Sequence, residues 1–357
     1  TGKDTPCNDE FQICAPISTG GDFTTEDSLT INSNYAFTAY DWLDTPFLEI
    51  SFGLGTSHND FTEENTFQPR LDSRYEINDS WTLTGAIGKH HQFHRNFRFI
   101  DKDVGNPDLK MPNSDHYVVG FEYQLDDSIS AKLEVYYKDL HDLTISNPEY
   151  DESDDIKKDE VKYVNEASGQ AYGLELLINK SLTDKWYGWL SVAYSKTKRT
   201  NDLTGEGFNY ELDRPWIINL VTSYEYSPIT TIGWKWRYQS GSLITPVDSS
   251  NPSTALYECS DGNGGIAYVE TQCDNTAPPY LYAPNYLDKN SERLPASHSL
   301  DFRVDFTPEQ DTSYYFEMLN VYNQRNVTDY KYNEDYSERE KINDLPTIFN
   351  FGVQLIY

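Results

Sequence analysis

Apolar and polar residues alternate with period two along most of this chain. The pattern is clearest at the C-terminus, where Phe349, Phe351, Val353, Leu355 and Tyr357 share one face. Asn350, Gly352 and Gln354 share the other, with Ile348 and Ile356 as exceptions. Such alternation predicts a half-buried β-strand. It recurs upstream: Tyr117, Val119, Phe121 and Tyr123 oppose Gly120, Glu122 and Gln124, and Ile232, Trp234, Trp236 and Tyr238 oppose Lys235, Arg237 and Gln239. Leu300, Phe302, Val304 and Phe306 oppose Asp301, Arg303 and Asp305, which places the three charged residues as ion pairs on a polar face. The charged face cannot meet lipid, and the aromatic face gains nothing from water. An antiparallel transmembrane β-barrel with a polar lumen satisfies both.

The alternation predicts about 13 strands, near 33–43, 47–58, 66–77, 81–93, 116–126, 129–142, 170–182, 187–199, 214–227, 230–242, 298–307, 312–323 and 348–357. Their connections fall into two classes. Tight turns at 43–46, 78–80, 126–128, 183–185, 227–229 and 308–311 alternate with longer links near 59–65, 94–115, 143–169, 200–213, 243–297 and 324–347. Outer-membrane barrels segregate their connections this way, with the long side extracellular. Counting back from the last strand makes residues 1–32 an extracellular loop, and residues 33–357 barrel. The odd strand count and that outside start both predict the C-terminal part of a larger barrel, since single-chain bacterial barrels have an even count.

Composition fits this reading. The chain is hydrophilic on average and has no apolar run long enough for a transmembrane helix. It carries 28 Tyr, 17 Phe and 7 Trp, which suit aromatic girdles at two membrane interfaces. A net charge of -30 argues against nucleic-acid partners. Cys7/Cys14 and Cys259/Cys273 form two local pairs in polar sequence without metal-ligand spacing, so two disulfides in an oxidising compartment are expected.

Several segments, in order, resemble the C-terminal half of the TonB-dependent outer-membrane receptors. Asn34 to Trp42 (NYAFTAYDW) resembles the family's YAFYLQDEW strand, Phe67 to Leu71 its SPRLG strand start, and Trp81 to Gln92 (WTLTGAIGKHHQ) its WTLRAGYGRYHQ strand. Ala171 to Leu176 is similar to RAYGLEL and Trp189 to Ser195 to WLSYTYS. Arg214-Pro215, Tyr238 to Gly241, Asn290 to Pro295 and Asn320 to Asn323 match further patches. The final octet resembles the C-terminal insertion signal of bacterial outer-membrane proteins, carried here by Asn350, Gly352, Leu355 and Tyr357.

The resemblance implies a plugged barrel of about 22 strands, of which these would be the last. It implies residence in the bacterial outer membrane and import of a scarce small-molecule ligand such as a ferric siderophore. The implied partners are outer-membrane lipid, the barrel-assembly machinery, the remainder of the receptor (plug and N-terminal strands) and, through it, an inner-membrane energy-coupling protein. A passive channel, or a structural or interaction barrel within a larger envelope assembly, stays open as an alternative.

Candidate chemistry is sparse. His90, Gln92 and His94 are expected to share one face of their strand, the lumen face, near the extracellular mouth. Imidazoles at such spacing stand roughly 13 Å apart, too far to share a metal, so ligand contact or a solvated rim is expected instead. The longest loop carries Tyr257, Tyr268, Tyr280, Tyr282 and Tyr286, residues suited either to adaptable recognition or to a packed cap. The acid-rich run Glu149 to Glu160 reads as a solvated loop, with calcium binding open but without the EF-hand pattern. No nucleophile elbow, HExxH or P-loop is present, so neither an enzyme nor a resident metal or cofactor is expected.

Overall fold

A computed structural model describes residues 32–94, 96, 99–101, 105–150, 161–252, 282–309, 311–333 and 335–355, and the backbone alone at 7–8, 13–14, 257–260 and 266–269. Among the described residues every regular element is a β-strand, and no helix is long and apolar enough to cross a membrane. Contacts divide the chain into two compact units.

The larger unit holds one antiparallel sheet in which each strand pairs with its sequence neighbours. The strands are β1 (Ser33–Asp44), β2 (Leu48–Asn59), β3 (Glu64–Asn78), β4 (Trp81–His91), β5 (Asn113–Gln124), β6 (Ile129–Ser146) and β7 (Tyr163–Thr183). They continue with β8 (Trp186–Asn201), β9 (Trp216–Ser227), β10 (Thr230–Gln239), β11 (Ser297–Glu309), β12 (Thr312–Leu319) and β13 (Ile348–Leu355). The short strand Gly207–Asn209 adds a branch on β8.

The expected strands are all present, with different ends. β6 and β7 run past their apolar stretches, so the expected link 143–169 is shortened at both ends. Ladder hydrogen bonds are satisfied whether the side chains meet lipid or water, so pairing need not stop where the apolar face does. β12 ends at Leu319, short of the expected 323, where Asn320 and Asn323 adopt positive φ of 53°. Asn tolerates that conformation better than most residues.

The short turns are set by local chemistry. Asp126 accepts hydrogen bonds from the Ser128 N–H (2.8 Å), the Ser128 hydroxyl (2.7 Å) and the Ile129 N–H (2.9 Å). Asp184 and Lys185 both take positive φ (47° and 74°), as a two-residue type I′ hairpin requires.

Register separates the two faces of the sheet. Val119, Val135 and Leu174 form one outward row, and Val304, Phe316 and Phe351 another. Phe351 is 80% exposed, as a lipid-facing side chain should be. The inward face carries Arg74, Glu122, Lys132 and Glu134, with Lys132 Nζ 3.1 Å from Glu134 and Arg74 bonded to Glu122. Asp301 pairs with Arg237 at 3.5 Å and Arg303 with Asp305 at 2.7 Å, so all three expected lumen charges form ion pairs. These pairs are part-exposed, and each contributes little stability.

The smaller unit contains the ribbons formed by Val247–Pro252 with Tyr282–Tyr286 and by Val327–Tyr332 with Arg339–Asn343. The second ribbon is clasped by Arg339, which bonds both oxygens of Glu292 at 2.9 Å and covers the Tyr330 ring at 4.1 Å.

Candidate functional site

A row of basic side chains crosses four strands of the inward face towards the long-connection end. Arg70 on β3 stands opposite Gly88 on β4, Gly88 opposite His116 on β5, and His116 opposite Lys138 on β6. His90, two residues along from Gly88, lays its ring on that of His116 with centroids 4.3 Å apart. Gly88 makes the cluster compact: a Cβ there would meet Arg70 Cγ at 3.1 Å and His90 Nε2 at 3.4 Å. Aromatic rings support both cations. The Arg70 guanidinium lies 5.6 Å from the Phe37 centroid, and Lys138 Nζ lies 5.1 Å from that of Tyr136.

Among the described residues, neither Arg70 nor Lys138 forms an ion pair, and Arg70 Nε is buried without a hydrogen-bond partner. In a chain of net charge -30, two cations flanking two imidazoles are a local reversal of sign. Ser114 Oγ, 2.8 Å from His116 Nε2, is the polar contact within the group. Such a wall can take an anion or an acidic chelate across its aromatic and cationic faces.

The expected trio of His90, Gln92 and His94 does not share a face. β4 ends at His91, and the Gln92 N–H bonds to the Pro112 carbonyl at 2.9 Å. Pro112 has no N–H to return, so the ladder stops there. His90 stays on the inner wall. His94 is only 7% exposed, packed edge-on against Phe99, with its Nε2 3.0 Å from the Lys110 carbonyl. Burial holds its imidazole pKa below the usual histidine value, although the Lys110 bond opposes that shift. Gln92 is exposed.

The connection around His94 has its own small core of Ile100, Leu109 and Met111. Strand residues hold it from both sides: Glu64 accepts the Met111 N–H at 2.6 Å, Asn165 accepts the Lys110 N–H at 2.7 Å, and Asn106 donates to the Tyr163 carbonyl at 2.9 Å.

A second polar centre sits at the long-connection end of β8. Asp213, with 1% of its side chain exposed, accepts Lys196 Nζ at 2.9 Å, Arg293 Nη2 at 2.7 Å and the Thr197 N–H at 3.0 Å. Burial alone would raise its carboxyl pKa, but these bonds outweigh burial and hold it below the usual value. Arg293 also donates to the Gly241 carbonyl at 2.7 Å. Gly241 is required by contact, since a Cβ would lie 1.9 Å from the Leu294 carbonyl oxygen. Both carboxylate oxygens of Asp213 are engaged, so the centre ties chain segments together.

Of the expected tyrosines, Tyr282 begins a ribbon strand, and Tyr286 ends it. The side chains of Tyr257 and Tyr268, and all of Tyr280, lie outside the described residues, as does the run 151–160. Backbone pairing places Cys7 opposite Cys14, but the side chains of all four cysteines lie outside the described residues. In the insertion signal, Asn350, Gly352 and Leu355 lie in β13 and Tyr357 is not described. Gly352 leaves space for the Tyr315 ring, which a Cβ would meet at 2.7 Å.

A strand-only antiparallel sheet with an apolar outer face and an ion-paired inner face defines an outer-membrane β-barrel wall. The chain belongs to the TonB-dependent receptors: the family described as "TonB dependent receptor-like, beta-barrel" matches residues 5–323. These are outer-membrane transporters rather than enzymes. No curated protein matches the chain in sequence. Among solved structures, the outer-membrane transporter YddB from Escherichia coli is similar with a TM-score of 0.62 at 14% identity, over 92% of this chain and 45% of that one. The Pseudomonas aeruginosa ferric enterobactin receptor PfeA gives 0.64 at 13% identity, over 91% and 45%. The pyoverdine receptor FpvA of Pseudomonas aeruginosa PAO1 gives 0.62 at 12% identity, over 92% and 42%. The chain thus spans less than half the length of these structures.

Proposed function

We propose that this chain supplies barrel wall to a receptor that imports a small acidic ligand, such as a ferric siderophore, with Arg70, His90, His116 and Lys138 as its contact surface. One observation supports the reading: two cations without carboxylate partners among the described residues, joined by two imidazoles in ring contact, on the inner face of an otherwise acidic protein. The similar structures favour an iron chelate, since PfeA is a ferric enterobactin receptor and FpvA is bound to pyoverdine. The plug, the preceding strands, the inner-membrane energy-coupling protein and the barrel-assembly machinery belong to the same proposal. The tyrosines of 243–297, a residue type suited to adaptable recognition, belong to the same proposal as ligand contacts.

The test is binding of a panel of ferric siderophores, acidic and neutral, to the full receptor. A charged hydrogen bond contributes about 1.5–3 kcal/mol, so Arg70→Ala with Lys138→Ala should weaken the acidic ligand at least tenfold. Neutral chelates should bind as before. Equal binding of every chelate by both proteins would overturn the reading.

A further inference from the structure

The outer face of the sheet carries an apolar groove of about 410 Å³ lined by Trp81, Phe121, Tyr123, Ala131, Leu133 and Leu176. Register explains it. Trp81, Tyr123, Ala131 and Ile178 stand side by side on β4 to β7, so one small residue interrupts a row of large ones. The next row, Leu83, Phe121, Leu133 and Leu176, continues the groove away from the tight turns. The Trp81 and Tyr123 rings, 4.5 Å apart, form one bank at the girdle level.

One row nearer the turns, Lys180 stands opposite Ile129, on the same outward face as Ile178 and Ala131. Its Nζ bonds to Thr183 Oγ1 at 2.6 Å. Asp126 interacts electrostatically with Lys180, and its Oδ1 already accepts the turn bonds of Ser128 and Ile129. The result is a cation at the membrane interface beside an apolar slot that leads into the hydrocarbon.

We propose that this groove is a phospholipid site of the periplasmic leaflet, with one acyl chain over Ala131 and the phosphate at Lys180. The tight turns place the groove in that leaflet, because in these barrels the short connections are periplasmic. The charge of Lys180 selects a phosphate, and the six apolar linings select an alkyl chain.

The test uses the full receptor purified in non-ionic detergent, titrated with dioleoyl phosphatidylglycerol and, separately, with lipopolysaccharide, and read by native mass spectrometry. The wild type should retain one tightly held phospholipid. Ala131→Leu, which fills the gap, and Lys180→Gln should each weaken that lipid by about tenfold, while Lys180→Arg keeps it. Heat-modifiable mobility on gels verifies that each variant has assembled, and Lys180→Gln decides the question alone if Ala131→Leu does not assemble. Retention by the variants equal to wild type, no retained phospholipid, or retention of lipopolysaccharide in its place would overturn the proposal.

Discussion

Replacing Asp213 by Asn should loosen the rim of the barrel locally. The carboxylate is 1% exposed, whereas Lys196 and Arg293 are each 28% exposed. Breaking a fully buried pair costs about 3–5 kcal/mol, because the remaining charge has no solvent. Here water reaches both cations, so the cost should fall to about 2 kcal/mol. That corresponds to roughly a thirtyfold loss of local protection. Amide exchange on the receptor in detergent would show it at Thr197, whose N–H donates directly to Asp213, and at Leu294, whose N–H bonds the Ser242 carbonyl. The β6–β7 ladder should stay unchanged. Acid should mimic the substitution. The folded carboxyl titrates below its usual 3.8, so its stabilisation is complete at neutral pH and is lost as pH falls through that lower value. The Asn variant should lack this acid transition. Unaltered exchange at Thr197 and Leu294 would refute the role of Asp213 as a tie.

Gly241→Ala should open the same region, since its Cβ would collide with the Leu294 carbonyl. Combined with Asp213→Asn it should show strong non-additivity in amide exchange, because Arg293 bridges both sites. The connection carrying His94 should lose exchange protection as pH falls below the ordinary histidine value of 6.5; burial depresses the folded pKa, so the neutral form stabilises above that value and protonation removes it. A flat profile from pH 7 to pH 5, the range over which histidines titrate, would exclude the effect. Non-reducing peptide mapping should find Cys7 joined to Cys14 and Cys259 to Cys273; free thiols or a cross-pairing would count against it, and the direct opposition of Cys7 and Cys14 favours the first bridge.

The strands were legible because lipid enforces a strict rule on every second side chain. In β13, Phe349, Phe351, Val353 and Leu355 follow that rule without tertiary help. The site was less legible. Extending alternation beyond His91 put His94 in the lumen, whereas Pro112 ends the ladder and burial of Ile100 and Leu109 draws His94 into a loop core. Arg70, His116 and Lys138 lie far apart in sequence, and only register lines them up. No local pattern encodes register between strands. The matched patches at 214–215, 238–241 and 290–295 were visible for a different reason. Gly241 and Arg293 within them help build the Asp213 tie, so the recognisable residues there are ones that hold the wall together.

The core of the connection between β4 and β5 bears on how antibodies would see this surface. Ile100, Leu109 and Met111 are hidden, and the backbone around them is held by Glu64, Asn165 and the Tyr163 carbonyl, all supplied by other strands. A synthetic peptide copied from this stretch would carry none of those partners and would display its apolar residues. Sera raised against the peptide would therefore recognise the denatured chain and miss intact cells. An immunogen that works on living bacteria would have to present the connection on its own strands.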